Sequence, residues 1–251
     1  MRTRLRPTRL LGLVVLTVVA GASCKVGALV DSGPPPTLGD ATHLTFVTQP
    51  TAAAAGAAVR MQVSAVDSVG NIVTVFNGRV TLSLAANPGN DALHGTVTVT
   101  AVQGTATFTE VRIDKAASGY TVQAVTSGLT GATSGAFDVT PGPAATATYT
   151  AQPTSTKTGS DISPAVQVQV VDAFGNAVTQ YSGTVTIVLV HDGSALQDAS
   201  LQGTTTATAT GGIASFSDLH INQTGLGYTL GAGIPAGTTP TVSQPFDVVP
   251  L

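Results

Sequence analysis

One pattern of about 100 residues is written twice in this chain, at 44–140 and again at 147–248. Gln49-Pro50 recurs as Gln152-Pro153, and Asp67-Ser68-Val69-Gly70-Asn71 as Asp172-Ala173-Phe174-Gly175-Asn176. Phe76-Asn77-Gly78 recurs as Tyr181-Ser182-Gly183, Leu93-His94-Gly95-Thr96 as Leu201-Gln202-Gly203-Thr204, and Gly104 to Phe108 as Gly212 to Phe216. Gly119-Tyr120 returns as Gly227-Tyr228 and Phe137-Asp138-Val139 as Phe246-Asp247-Val248. A period this long, with its own apolar pattern inside each copy, makes each copy able to bury a core by itself. The expectation is therefore tandem domains, not a solenoid.

Within a copy the apolar residues alternate. Met61, Val63 and Ala65 interleave with Arg60, Gln62 and Ser64, and Val166, Val168 and Val170 with Gln167 and Gln169. Val80, Leu82 and Leu84, matched by Val185, Ile187 and Leu189, repeat the signal, as do Tyr120, Val122 and Ala124. Period two marks a strand with one buried face, and no stripe of helical period follows residue 42. Twelve of the thirteen acidic residues are Asp and only Glu110 is Glu, which suits turns and disfavours helices. The predicted fold class is all-β, with each copy a sandwich of seven or eight short strands between Gly, Pro, Asn and Asp.

The first 42 residues follow a different grammar. Arg2, Arg4, Arg6 and Arg9 precede an uncharged apolar run from Leu10 to Ala20, then Gly21-Ala22-Ser23 and Cys24, the sole cysteine. The run is short for a membrane-spanning helix and reads as a secretory signal at 1–23. A secreted domain that used cysteine structurally would carry pairs, so a lone Cys24 reads as a lipid attachment point. The stretch resembles a bacterial lipobox, which implies acylation of Cys24, and Lys25 after it implies sorting to the outer membrane. Gly33-Pro34-Pro35-Pro36 stiffens an extended stalk over 24–42. The domains are then expected at 43–140 and 147–251, joined by the proline-stiffened linker 141–146 with little hinge freedom.

Several classes of chemistry find no support. Beyond the leader, six basic residues face thirteen acidic ones, a net charge of about −7, which excludes a basic nucleic-acid surface. The sequence holds no nucleophile elbow, zinc-protease motif or phosphate loop, and one Glu cannot form a glutamate pair. His43, His94, His191 and His220 show no ligand spacing and are expected as solvated or edge residues. No catalytic residue, cofactor or metal is expected. Asp67, Gly70 and Asn71, with Asp172, Gly175 and Asn176, are expected as a tight turn, since Asp bonds its own backbone two residues on and Gly accepts positive φ. A cation at Asp67 or Asp172 would need six to eight oxygens, where each turn offers one carboxylate. Ten of the eleven aromatic residues fall in matched pairs between the copies, and Phe174, opposite Val69, is the exception. Rings kept in both copies serve the shared fold, and with no Trp a sugar- or base-stacking platform is disfavoured.

Asp67-x-x-Gly70-Asn71 before a Val-rich strand, Gly104-x-Ala106-x-Phe108 and Gly119-Tyr120-Thr121-Val122-Gln123-Ala124, with their second-copy equivalents, resemble the bacterial immunoglobulin-like repeats of invasin- and intimin-type surface proteins. The resemblance covers about 200 residues. It implies two tandem immunoglobulin-like sandwiches used as spacer or adhesive modules. The second repeat runs to Leu251, so a lectin-like tip is not expected in this sequence.

The copies differ in length at two places. Their offset grows between Pro50/Pro153 and Asp67/Asp172, and again by Gly95/Gly203, placing longer loops at 159–164 and 191–198 of the second copy. Binding residues concentrate on loops held by rigid scaffolds, so His191, Asp192, Gln197 and Asp198 form the candidate binding loop. The expected function is a non-enzymatic, lipid-anchored envelope protein, meeting the membrane through its anchor and a protein or glycan partner at the cell surface. The alternatives are a structural spacer without its own ligand and a carbohydrate-binding accessory module. The sequence leaves the oligomeric state open.

Overall fold

The computed structural model describes residues 40–237 and 239–251. Cys24, the signal at 1–23 and most of the stalk at 24–42 lie outside the described residues. Among those described, every regular element is a strand. The first repeat contributes β1 (His43–Thr48), β2 (Ala53–Ala54), β3 (Val59–Val66), β4 (Arg79–Ala86), β5 (Thr98–Thr100), β6 (Thr105–Val111), β7 (Ala117–Val125), β8 (Ala132–Thr133) and β9 (Phe137–Thr140). The second contributes β10 (Thr146–Ala151), β11 (Thr156–Lys157), β12 (Val166–Val171), β13 (Thr184–His191), β14 (Leu201–Gln202), β15 (Thr206–Thr208), β16 (Ile213–Phe216), β17 (His220–Ile221), β18 (Gly225–Gly233), β19 (Thr241–Val242) and β20 (Phe246–Val249).

Each repeat folds two main sheets over one core, and the second adds a two-stranded pair, β14-β17. In the first, β1-β3-β6 form one sheet and β2-β9-β7-β4-β5 the other, with β8 paired to β7. In the second, β10-β12-β16 face β11-β20-β18-β13-β15, with β19 paired to β18. The chain changes sheet early, and the sequence says why. Pro50 and Pro153 lack the N–H that a ladder needs, so β1 and β10 stop there. The short strands that follow join the opposite sheet in parallel with the last strand, pairing Ala53 with Val139 and Thr156 with Val248.

Alternation explains the cores. Met61, Val63 and Ala65 on β3 point inward and meet Val80, Leu82, Phe108, Tyr120 and Val122 in one cluster; Val166, Val168, Val185, Ile187, Phe216 and Tyr228 make its counterpart. Fully burying one such side chain contributes about 1.5–3 kcal/mol. Tyr120 and Tyr228 are wholly buried and tilt against Phe137 and Phe246 at centroid distances of 6.1 and 6.0 Å. Two details differ from the alternation. Ser64 is buried on the outer face of β3, where its hydroxyl shares a 2.8 Å hydrogen bond with that of Thr105. Leu84 and Leu189 are only half-buried, at the ends of their strands.

Candidate functional site

The two Asp-x-x-Gly-Asn turns are built alike. Asp67 Oδ1 accepts from the N–H groups of Val69 and Asn71 at 3.0 and 2.9 Å, and Oδ2 accepts from Asn71 Nδ2 at 3.1 Å. Asp172 Oδ1 accepts from Phe174 and Asn176 at 2.8 and 2.9 Å, and Oδ2 from Asn176 Nδ2 at 2.8 Å. Gly70 and Gly175 take positive φ of 93° and 79°, which the turn requires. Both carboxylates spend their oxygens on donors within the protein. Among the described residues no group of three or more His, Cys, Asp and Glu side chains could hold a metal ion.

The turns differ in what they touch. Val69 is 81% exposed and Asn71 is exposed, while Asn176 is buried and Phe174 half-buried. The second turn is seated in the first domain. Asn176 Oδ1 accepts from the Ala116 N–H at 2.9 Å, and Asn176 Nδ2 donates to the Asp114 carbonyl at 2.8 Å. Lys115 Nζ donates to the Phe174 carbonyl at 2.6 Å. The Phe174 ring packs against the core cluster of the first domain and lies over Gly56, where a Cβ would overlap it. The linker closes the joint, because the Gly142 N–H donates to Asp172 Oδ2 at 2.8 Å. Burial alone would raise the Asp172 carboxyl. Hydrogen bonds from the Asn176 side chain and from the Gly142, Asn176 and Phe174 N–H groups outweigh it and hold the carboxyl below its ordinary value.

The receiving loop is itself held rigidly. Tyr120 Oη donates to the Lys115 carbonyl at 2.8 Å. Asp91 Oδ2 accepts from the N–H groups of Asp114 and Lys115, at 2.6 and 2.9 Å. His94 Nε2 lies 3.4 Å from both Asp91 and Asp114, and Arg112 Nε lies 3.5 Å from Asp114. His94 is partly exposed at an isolated bridge with Arg112, an edge position as expected, and from there it lies between the two carboxylates. This joint is the feature that sequence reasoning missed. One signal for it was present, the unmatched aromatic at Phe174.

The candidate binding loop divides. Asp192 is used internally, accepting from the Ser194 and Ala199 N–H groups at 2.8 and 2.9 Å. His191, Gln197 and Asp198 are exposed, as is Leu196 at 80%. The other long loop, 159–164, buries Ile162 in the second core and so has a packing role.

The arrangement also settles the architecture. In each domain the chain changes sheet after its first strand, and each fixes a buried tyrosine on the strand that pairs with its last one, its hydroxyl bonded five residues back. That is the tyrosine corner of immunoglobulin sandwiches. The chain is a tandem immunoglobulin-like repeat. No family model matches it, and neither does any curated protein. Among solved structures, the tandem repeat is similar to the Escherichia coli adhesin FdeC, at 16% identity and TM-score 0.35 over 82% of this chain and 63% of that one. Domains 4–9 of the surface layer protein SbsC match at 20% identity and TM-score 0.31, over 84% and 31%. The tandem Ig repeats of Dlar match at 10% identity and TM-score 0.22, over 84% and 99%. The chain spans less than two thirds of the adhesin and of the surface-layer fragment. Likeness at this level carries no function.

Proposed function

We propose that the protein is a non-enzymatic cell-envelope module, tethered through Cys24, whose two domains form a stiff arm that presents the second domain and its 191–198 loop to a protein or glycan at the surface. The observation that carries this reading is the joint. Three hydrogen bonds and an inserted ring fix the second domain on the first, and a fourth fixes the linker. Each domain also has a core of its own apart from that bond set. Ordering two domains against each other costs conformational freedom and is useful where attitude and reach matter. The exposed His191, Gln197 and Asp198, on a loop braced by Asp192, support presentation over a bare spacer.

Two measurements test it. Cys24→Ala should abolish partitioning of the protein into the detergent phase and leave it outside the membrane fraction; partitioning that persists refutes the tether. Exchanging 190–200 for the equivalent 85–92 of the first domain should abolish binding of intact cells to a matrix or glycan array. Unchanged binding removes the loop from the reading, and protection from protease on intact cells removes surface presentation.

A further inference from the structure

The second domain repeats the socket that the first domain uses to hold its neighbour. Gly56, which receives the Phe174 ring, takes φ of 78° and donates to the Ile113 carbonyl at 2.9 Å; Gly159 takes φ of 70° and donates to the Ile221 carbonyl at 3.0 Å. The Ala55 N–H bonds the Thr140 carbonyl just as Thr158 bonds Val249, each at 2.8–2.9 Å, and Pro141 has its match in Pro250. Tyr228 Oη braces the Gln223 carbonyl at 3.1 Å, as Tyr120 braces Lys115. The loop Asn222-Gln223-Thr224 therefore stands where Asp114-Lys115-Ala116 grips Asn176, and Gln223 can offer an N–H donor in place of Lys115.

This second socket is open. A Cβ added at Gly159 would meet nothing within 4 Å. Beside it lies a cleft of about 420 Å³ lined by Thr224, Leu226, Val248, Val249 and Pro250. Leu226 in this cleft is 71% exposed, and Leu196, next to the cleft residue Ala195, 80%. Exposed leucines around a preformed polar grip mark a docking surface.

The matching plug is also free. The turn Asp67-Ser68-Val69-Gly70-Asn71 has the internal hydrogen bonds of the seated turn, yet Val69 and Asn71 face outward. We propose that the socket at Gly159 and Asn222–Thr224 takes the Asp67–Asn71 turn of a second copy of this chain, joining molecules head to tail. Asn71 bridges Asn222 and Thr224 as Asn176 bridges Asp114 and Ala116, and Val69 rests on Gly159 where Phe174 rests on Gly56. The contact is heterologous, so it builds open chains or closed rings rather than a two-fold dimer. Val fills less of the socket than Phe, which makes this contact weaker than the internal joint. The inference does not depend on the tether or the loop.

Sedimentation velocity of the full chain in a nonionic detergent, at rising protein concentration, tests it. The unaltered chain should show concentration-dependent association beyond a dimer. Val69→Phe should lower the dissociation constant about tenfold, equivalent to about 1.4 kcal/mol. Asn71→Ala and Leu226→Arg, both at exposed positions, should each abolish association with the circular-dichroism spectrum unchanged, alone or added to Val69→Phe. A chain that stays monomeric at every concentration overturns the proposal. So does association that ignores Val69→Phe or survives both blocking changes, because it would then use another surface.

Discussion

Phe174→Ala isolates the joint from the folds it joins. The ring is half-buried and packs on the first domain's core, so its loss leaves the second domain's own cluster intact. Full burial of a Phe contributes about 1.5–3 kcal/mol, and half that is about 0.75–1.5 kcal/mol of docking free energy. No compensating collapse is available, because the ring covers Gly56, which has no side chain to move into the space. The docking equilibrium should shift about four- to tenfold toward the undocked arrangement. Residual dipolar couplings read this directly. In the unaltered chain both domains should share one alignment tensor. In Phe174→Ala the tensor magnitudes should diverge, while each domain keeps its internal couplings. Val69→Ala, the equivalent change on the exposed turn, should alter neither tensor and should stay within about 0.5 kcal/mol of the starting stability. A single tensor of unchanged magnitude in Phe174→Ala would refute the claim that the ring holds the domains together. Loss of couplings inside the second domain would refute the claim that its role is confined to the joint.

Further expectations follow from the same geometry. Asn176→Ala strands the Ala116 N–H and the Asp114 carbonyl, and should weaken docking by about 2 kcal/mol, read by the same couplings; Asn71→Ala should leave docking unchanged. The Asp172 carboxyl is held below its ordinary value of 3.8, so its contribution is fully present above that pH and is lost as pH falls through the depressed value. The Asp172 contribution to docking should therefore weaken as pH falls below about 3.8, and Asp172→Asn should lose that acid limb. Tyr120→Phe and Tyr228→Phe each delete one corner hydrogen bond and should cost about 1 kcal/mol in thermal unfolding, but only Tyr120→Phe should also loosen the joint.

The cores were legible because alternation is local. Val63 and Val168 are buried for the reason the period-two pattern gives, and the matched Phe and Tyr positions pack in or against the cores they were assigned to. Ser64 escaped the pattern because its burial depends on Thr105 on the neighbouring strand, which periodicity along one strand does not register. The joint was hidden for a similar reason. Asn71 and Asn176 are the same letter in the same motif, with the same bond to Asp, and one is exposed while the other is buried. What separates them is the domain placed over one of them. Only Phe174, an aromatic without a twin, betrayed the difference in sequence, and its destination at Gly56 lies in the other repeat. His94 lies at an edge as expected, but its approach to Asp91 and Asp114 runs through a bridge between loops that no spacing rule encodes.

The chemistry of the joint fixes how it responds to its surroundings. Its grip consists of an amide paired with two backbone groups, a ring over a glycine, and a lysine donating to a neutral carbonyl. None of these is an ion pair. Exposed charge pairs are screened over about 8 Å at physiological salt and about 3 Å at 1 M, whereas amide bonds and ring packing are not. A chain with this little charge, 9% of its residues, has few long-range fields to screen in any case. Domain alignment should therefore be the same at low salt and at about 1 M salt. Kosmotropic salts such as sulfate should tighten it by favouring burial of Phe174. Couplings that collapse as sodium chloride rises would show that Lys115 acts through a carboxylate, and the account of the joint as a lock without ion pairs would fail.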